Sequence, residues 1–175
     1  VNLLIPASAL QDLLRILGEH EDDVVVTHDD QQVLFRVGDV ELVTRLIEGN
    51  YPDYRKLIPK EFASEASLKR ADLTNITKVS SLFARESAGS ITIKVDKDKV
   101  SITSVASQLG ENTAEASAEV TGGGDVTLNS RYLADALNVI SGDEVEFCFN
   151  GKLEPCLLRD TKDAEYSHVI MPLRT

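Results

Sequence analysis

Hydrophobic residues recur along this chain with two periods, one typical of helices and one typical of strands. In the first fifty residues, leucines three or four positions apart predict one apolar face on a helix from Pro6 to about Leu17, ended by Gly18. An apolar strand at residues 2–6 precedes this helix. Three further strands follow it, at residues 23–28, 32–37 and 40–47. The leucines of the apolar face are Leu10, Leu13, Leu14 and Leu17.

The same order of elements recurs in the middle of the chain. A strand at residues 67–70 leads to Asp72, the expected N-cap of a helix that extends to about Glu86. Strands follow at residues 91–95, 100–105 and 113–120. The predicted buried face of the helix consists of Leu73, Ile76, Val79, Leu82 and Phe83.

A third unit completes the chain after Gly122, Gly123 and Gly124, which are expected to form a flexible connection. Its strand at residues 126–128 precedes a helix that is capped by Asn129 or Ser130 and stops at Gly142. The buried face of this helix is expected to include Leu133, Ala136, Leu137 and Ile140. A hairpin of residues 144–150 and 152–159 and a strand at residues 168–173 follow.

Three copies of one βαβββ unit, each of about fifty residues, indicate an α+β fold. Two such units packed together would form a pseudo-symmetric domain, with strands on one side and two helices on the other. Residues 66–175 hold two units and predict one complete domain. Residues 1–50 hold one unit and predict half of another domain, and the proline-containing, charged residues 51–65 predict a linker.

Composition limits the classes of function. The 175 residues include 42% hydrophobic residues, enough for a buried core, and no run approaches the roughly 20 apolar residues of a membrane-spanning helix. Because the formal net charge is -11, the surface as a whole should not attract nucleic acid. The first residue is Val1 and not a methionine, and residues 1–6 are too short an apolar run for a signal peptide, so we expect a fragment of a longer protein.

The two cysteines flank Asn150 and Gly151, a pair typical of a tight two-residue hairpin turn. Such a turn would place Cys148 opposite Leu153 and Cys156 opposite Val145. We therefore expect two half-buried thiols without a disulfide, which suits a reducing cytoplasm.

Residue types that carry catalysis or bind metals do not form a recognisable motif. His20, His28 and His168 lack ligand spacing, and Asp96 and Asp98 lack the glycine and the terminal glutamate of a calcium loop. The glycine triplet lacks the lysine of a phosphate loop, and no serine lies in a nucleophile elbow. We expect no metal, no cofactor and no catalytic residue. An enzyme is a distant alternative, and a protein-interaction module unrelated to DNA is a nearer one.

Four segments, in order along the whole chain, resemble one known family. They are LIP at residues 4–6, LIEGNYPDY at 46–54 with LIP at 57–59, LNSRY at 128–132 and VIMPLR at 169–174. Together they are similar to segments of bacterial DNA sliding clamps, the beta subunits of the replicative polymerase. Their order and spacing make the resemblance specific.

The resemblance implies a DNA clamp fold and a non-catalytic processivity factor in the cytoplasm. Clamps of this family form a ring of two head-to-tail protomers, each with three similar domains, whose helices face the enclosed double-stranded DNA. The resemblance assigns this chain the third domain and about half of the second, which alone could not close a ring. Implied partners are the polymerase, the clamp loader and other clamp-binding proteins.

In the family, partner proteins insert a short peptide, with a glutamine and large apolar side chains, into a pocket between the second and third domains. The resemblance carries the following residues over to that pocket: Pro52, Lys56, Leu57, Asn129, Tyr132, Val169, Ile170, Met171, Pro172, Leu173 and Arg174. A core role is the alternative for Val169 or Ile170.

The resemblance also suggests helix residues that face DNA or the neighbouring protomer. The DNA-facing candidates, each also typical of a solvated helix, are Arg15, Lys78, Arg85 and Arg131. Ala7 and Ser8 occupy positions where clamps often carry a basic residue. Ser81 and Leu82 match the ring interface, although Ser81 is polar.

Overall fold

Two separately packed units make up the chain, Val1–Asp53 and Tyr54–Thr175. The computed structural model describes residues 2–19, 21–51, 53–107 and 110–174. His20 and Pro52, both named above, lie outside the described residues.

Unit 1 consists of one helix and a three-stranded antiparallel sheet. Its elements are α1 (Ala7–Leu17), β1 (Val24–His28), β2 (Gln32–Val37) and β3 (Val40–Arg45), with sheet order β1-β2-β3. α1 packs against β2 and β3, and the alternating side chains Val33, Phe35 and Val37 of β2 are buried. The strand predicted at residues 2–6 is absent; this segment contributes its Leu4 carbonyl to the Ile47 amide, at 2.8 Å.

The predicted apolar face of α1 is wrong in orientation. Ala9 is the buried residue, whereas Leu10 and Leu14 are 44% and 71% exposed, and Leu13 and Leu17 are half-buried. Leucine spacing identified an amphipathic helix, but Ala9 and Ile16 add apolar positions to α1, so more than one of its faces could contact the sheet.

Unit 2 contains two copies of the predicted order strand, helix, three strands. The first copy comprises β4 (Ser64–Lys69), α2 (Arg70–Phe83), β5 (Ser90–Asp96), β6 (Lys99–Ala106) and β7 (Gly110–Ser117). The second comprises β9 (Gly124–Asn129), α3 (Ser130–Val139), β10 (Glu144–Phe149), β11 (Cys156–Asp160) and β12 (Ser167–Ile170). A short strand, β8 (Glu119–Thr121), lies between them. Two 3-10 helices, Tyr54–Lys56 and Ala84–Ser87, complete the unit.

The two copies exchange their first strands. One sheet has the order β12-β11-β10-β4-β8 and the other β7-β6-β5-β9, so β4 joins the second copy and β9 joins the first. Both exchanged strands pair antiparallel, with Phe147 opposite Ala66 and Ile93 opposite Val126. Each copy therefore completes the sheet of the other, and α2 packs against α3.

The core of unit 2 lies between these helices and sheets. α3 buries the predicted Leu133, Ala136 and Leu137, and the rings of Phe147 and Phe149 lie 5.5 Å apart in the same core. The Asn129 side chain accepts a hydrogen bond from the Arg131 amide at 2.9 Å, which confirms the predicted cap of α3.

α2 differs from its prediction at its N-cap and in the second half of its apolar face. Lys69 occupies the N-cap position, so Asp72 lies in the first turn and does not cap the helix. Leu73 and Ile76 are buried as predicted, but Val79 and Leu82 are exposed. Thr77 and Ser80 are buried instead, because their hydroxyls donate to the carbonyls of Leu73 and Ile102.

The glycine triplet is a fixed turn, contrary to the flexible connection that its composition predicted. Gly122 has a φ of 77°, and a β-carbon there would collide with the carbonyl oxygen of Ala63. The Ser64 hydroxyl donates to the Gly123 carbonyl at 2.7 Å and accepts from the Gly123 amide at 3.2 Å. The strand predicted at residues 113–120 is likewise divided, because β7 pairs with β6 and β8 pairs with β4.

The predicted two-residue turn at Asn150 and Gly151 is also wrong. β10 and β11 pair with Cys148 opposite Leu157, so residues 150–155 form a longer loop. Cys156 lies opposite Ile170 of β12 and not opposite Val145. Both thiols are unbonded, as predicted, but fully buried.

Candidate partner-binding surface

The C-terminal residues leave the five-stranded sheet and run beside the other sheet of unit 2. β12 ends at Ile170, earlier than the predicted strand at 168–173, and residues 171–174 continue without regular structure. The Leu173 amide donates to the carbonyl of Thr127 at 2.8 Å. Because Thr127 lies on the edge strand β9, two residues before Asn129, this bond places the tail beside the start of α3.

We call this surface the tail site and define it as Asn129, Tyr132 and residues 169–174. Its outward side chains are apolar with one cation: Met171 and Tyr132 are 55% and 56% exposed, and Arg174 is exposed. Pro172 and Leu173 are half-buried. A partner side chain placed here would contact mostly apolar surface without displacing the core.

Two residues of the tail site have mainly structural contacts. Ile170 is 2% exposed and belongs to the core, so the alternative reading as a core strand residue applies to it, whereas Val169 is half-buried. Besides capping α3, the Asn129 side chain donates to the Ala88 carbonyl at 3.2 Å. Asn129 therefore fixes the first turn of α3, from which Tyr132 projects.

Of the remaining predicted pocket residues, Lys56 and Leu57 lie near the start of unit 2, and Pro52 lies outside the described residues. Lys56 ends the 3-10 helix Tyr54–Lys56, and the Leu57 amide donates to the Tyr54 carbonyl at 2.9 Å. The Leu57 side chain is 47% exposed. Sequence reasoning missed the Thr127 carbonyl that holds the tail, because a backbone acceptor leaves no side-chain signal.

The four candidate DNA-facing cations are exposed on helical segments. Arg15 lies 3.0 Å from Asp12 on α1, and Arg131 lies 4.0 Å from Asp135 on α3. Lys78 lies on α2 and Arg85 in the following 3-10 helix. Exposed ion pairs of this kind contribute at most about 1 kcal/mol and leave the cations able to contact phosphate.

The two candidate ring-interface residues lie near the end of α2. The Ser81 hydroxyl donates to the Lys78 carbonyl at 2.7 Å, which satisfies this polar group within the helix. The side chains of Leu82 and Val79 are 52% and 45% exposed. These apolar side chains were predicted to be buried, and their exposure gives the end of α2 an apolar surface.

Catalytic and metal chemistry finds little support in the described residues. Within them, no group of three or more histidine, cysteine or acidic residues could hold a metal ion. Burial raises the pKa of the Cys148 and Cys156 thiols to about 12, which disfavours the nucleophilic thiolate. No described helix combines the length and apolar composition that crossing a bilayer requires.

Two models of known protein families match this chain, one for each unit. Residues 55–174 match the family described as DNA polymerase III beta subunit, C-terminal domain, and residues 1–53 match the central domain of the same subunit. A curated relative, the beta sliding clamp of Staphylococcus aureus, is 34% identical over 99% of this chain. The chain spans about half the length of that relative, 47%.

Solved structures show the same likeness. The DNA polymerase sliding clamp from Bacillus subtilis has a TM-score of 0.82 at 28% identity, covering 100% of this chain and 47% of its own. The sliding clamp from Bartonella birtlesii, solved bound to griselimycin, has a TM-score of 0.84 at 26% identity, with 99% and 47% coverage. The matched segments, the exchanged-strand fold and these relatives together show that this chain belongs to the DNA polymerase III beta subunit family.

Proposed function

We propose that this chain is part of a bacterial sliding clamp, a non-catalytic processivity factor of the replicative DNA polymerase in the cytoplasm. The complete protein encircles double-stranded DNA as a ring of two protomers. It tethers the polymerase, the clamp loader and other proteins through their linear peptide motifs. The observation that carries this proposal is the match of residues 1–53 and 55–174 to consecutive domains of one family.

The tail site is the part of that function that this chain can perform by itself. Met171 and Tyr132 offer exposed apolar surface, and the Leu173 backbone is held by Thr127. Pro172 has no amide donor to leave unpaired, and the exposed Arg174 can pair with a peptide carboxylate. An extended peptide with a leucine or phenylalanine would gain roughly 25 cal/mol for each Å² of apolar surface buried.

The pocket as proposed also includes Pro52, Lys56 and Leu57, as well as Val169 and the partly covered Asn129. We retain the division into residues 1–50, 51–65 and 66–175, in which 1–50 is half of a clamp domain. Because the family's pocket lies between two domains, one of which is incomplete here, we expect weak binding. A dissociation constant between about 1 mM and 100 µM is the expected range.

A fluorescence-anisotropy titration tests this proposal. The probe is a labelled peptide with a glutamine followed by a leucine-phenylalanine end. Leu173→Asp should abolish binding, because it places a carboxylate in apolar surface. Leu14→Asp is the matched control, because Leu14 is 71% exposed in the other unit. Equal affinity of both variants, or no binding to the unchanged chain, would refute the proposed site.

DNA contacts are proposed to be weak and independent of sequence. Arg15, Lys78, Arg85 and Arg131 are exposed and able to reach phosphates, but the chain carries a formal net charge of -11. In our proposal, retention on DNA comes from closure of the ring, in which Ser81 and the exposed Leu82 contact the neighbouring protomer. Individual phosphate contacts then need contribute little affinity.

A further inference from the structure

Two buried side chains of unit 2 lie on the face of the five-stranded sheet away from its core. Cys148 and Leu157 are opposite each other on β10 and β11 and are 0% and 1% exposed, but neither belongs to the hydrophobic cluster that contains Phe147 and Leu158. Their neighbours Phe147 and Leu158 point into the core. Because successive side chains of a strand alternate in direction, Cys148 and Leu157 face outward and another segment must cover them.

The chain segment before β4 contacts this outer face at Arg159. Arg159, two positions beyond Leu157 on the same face, has its guanidinium carbon 5.2 Å from the centre of the Phe62 ring. Arg159 also lies 3.7 Å from Glu146 on the neighbouring strand. Phe62 is therefore held over the outer face by a cation that is itself paired.

The Asn150 side chain attaches the same segment through two hydrogen bonds to its backbone. Its side-chain oxygen accepts from the Ala63 amide at 2.7 Å, and its side-chain nitrogen donates to the Glu61 carbonyl at 3.0 Å. This residue, which appeared in sequence to form a tight turn, instead joins two regions nearly ninety positions apart. An alanine at position 150 would remove both bonds, whereas an aspartate would retain only the acceptor.

We propose that Asn150 and Arg159 are positioning residues that fasten the connecting segment, residues 58–63, to the outer face of the sheet and thereby place Leu57 for the partner peptide. The role of Leu57 rests on the proposed function. Four peptide links separate Leu57 from Glu61, which confines Leu57 to within about 14 Å of the attachment. Because the segment is already ordered in the free protein, less conformational entropy is lost when the peptide binds, which favours affinity.

The two cysteines provide a direct measure of this attachment. In the full chain, N-ethylmaleimide labelling followed by peptide mapping measures each thiol separately. Asn150→Ala should label Cys148 at least about tenfold faster while leaving Cys156, which faces the core, unchanged. Asn150→Asp should give an intermediate rate. Asn75→Ala, at an exposed position on α2, is the matched control and should change neither rate.

If Asn150→Ala raised the labelling rates of Cys148 and Cys156 equally, unit 2 would be opening as a whole. If it raised neither rate, the burial of Cys148 would not depend on the attachment. Either result overturns the proposal. The peptide titration then tests positioning. Asn150→Ala should weaken binding about three- to tenfold relative to Asn75→Ala. Unchanged affinity despite exposure of Cys148 would overturn the positioning role. Absence of binding to the unchanged chain would defeat the proposed function, while the Cys148 rate would still decide whether the segment is fastened.

Discussion

At the scale of single residues, one buried carboxylate organises the connection between α3 and β10. Asp160 is 4% exposed and accepts hydrogen bonds from the amides of Lys162 at 2.8 Å, Ser141 at 3.0 Å and Gly142 at 3.1 Å. These bonds, that of Lys162 foremost, lower the pKa of Asp160 below its ordinary value of 3.8. Gly142 leaves no room for a side chain, because a β-carbon would collide with the Asp160 carboxylate.

Asp160→Asn should therefore destabilise unit 2 in a pH-dependent manner. Because the folded-state pKa is lowered, the carboxylate stabilises the fold above pH 3.8 and loses this contribution as the pH falls through the lowered value. We expect a lower urea midpoint for Asp160→Asn at pH 7 and a difference that shrinks below pH 3.8. Urea denaturation across a pH series measures this. A difference independent of pH would contradict the assignment to the charged form.

Gly122 is the residue at which we expect the largest effect of adding one methyl group. Gly122→Ala would combine an unfavourable positive φ with a collision against the Ala63 carbonyl, at a cost of at least about 2 kcal/mol in the free energy of unfolding. Gly151→Ala is the control, since its β-carbon would meet only the Glu154 side chain at 3.8 Å. Chemical denaturation that gave equal stabilities for the two variants would show that the turn can relax.

At the scale of elements, α3 provides a matched comparison between its buried and exposed faces. Leu137 is 0% exposed and Val139 is 66% exposed, two positions apart on the same helix. Leu137→Ala should lower the free energy of unfolding by about 2–5 kcal/mol, and Val139→Ala should change it by less than about 0.5 kcal/mol. Urea denaturation of unit 2 compares them. Similar costs would mean that the packing of α3 is misassigned.

The order of elements in unit 2 could be predicted from the sequence because it depends on local periodicity. The leucine and alanine spacing of α3 and the alternation around Ile93 each reveal one element without reference to the rest. The exchange of β4 and β9 could not be predicted, because either strand would pair equally well by pattern with its own copy. The same limit explains the error at Asn150, whose side chain bonds to Glu61 and Ala63, far away in sequence.

The candidate site was predictable only in part. Family resemblance singled out the tail residues, and local signals identified Asn129 as a cap. Neither could tell that Ile170 is in the core while Met171 is exposed, since this depends on where β12 leaves the sheet. The contact between Phe62 and Arg159 could not be predicted either, because these residues meet only once the sheet has folded.

At the scale of the whole molecule, the acidic charge and the proposed dependence on ring closure predict little affinity of this chain alone for DNA. Because the chain has a formal net charge of -11 and only a few exposed helix cations, salt should readily screen its contacts with phosphate. On nicked circular DNA at near-physiological salt, gel filtration should show the chain separating from the DNA. Salt-resistant retention would contradict the proposal that closure holds the protein on DNA.

A residue-level map of peptide binding to this chain decides whether the tail site is a partner-binding surface. Amide chemical shifts are followed while an unlabelled peptide, with a glutamine and a leucine-phenylalanine end, is titrated into isotope-labelled protein. We predict shifts at Leu57, at Asn129 to Tyr132 and at the amides of residues 169–174 other than Pro172, all lost in Leu173→Asp. Shifts scattered over other surfaces, or shifts that persist in Leu173→Asp, would contradict this prediction.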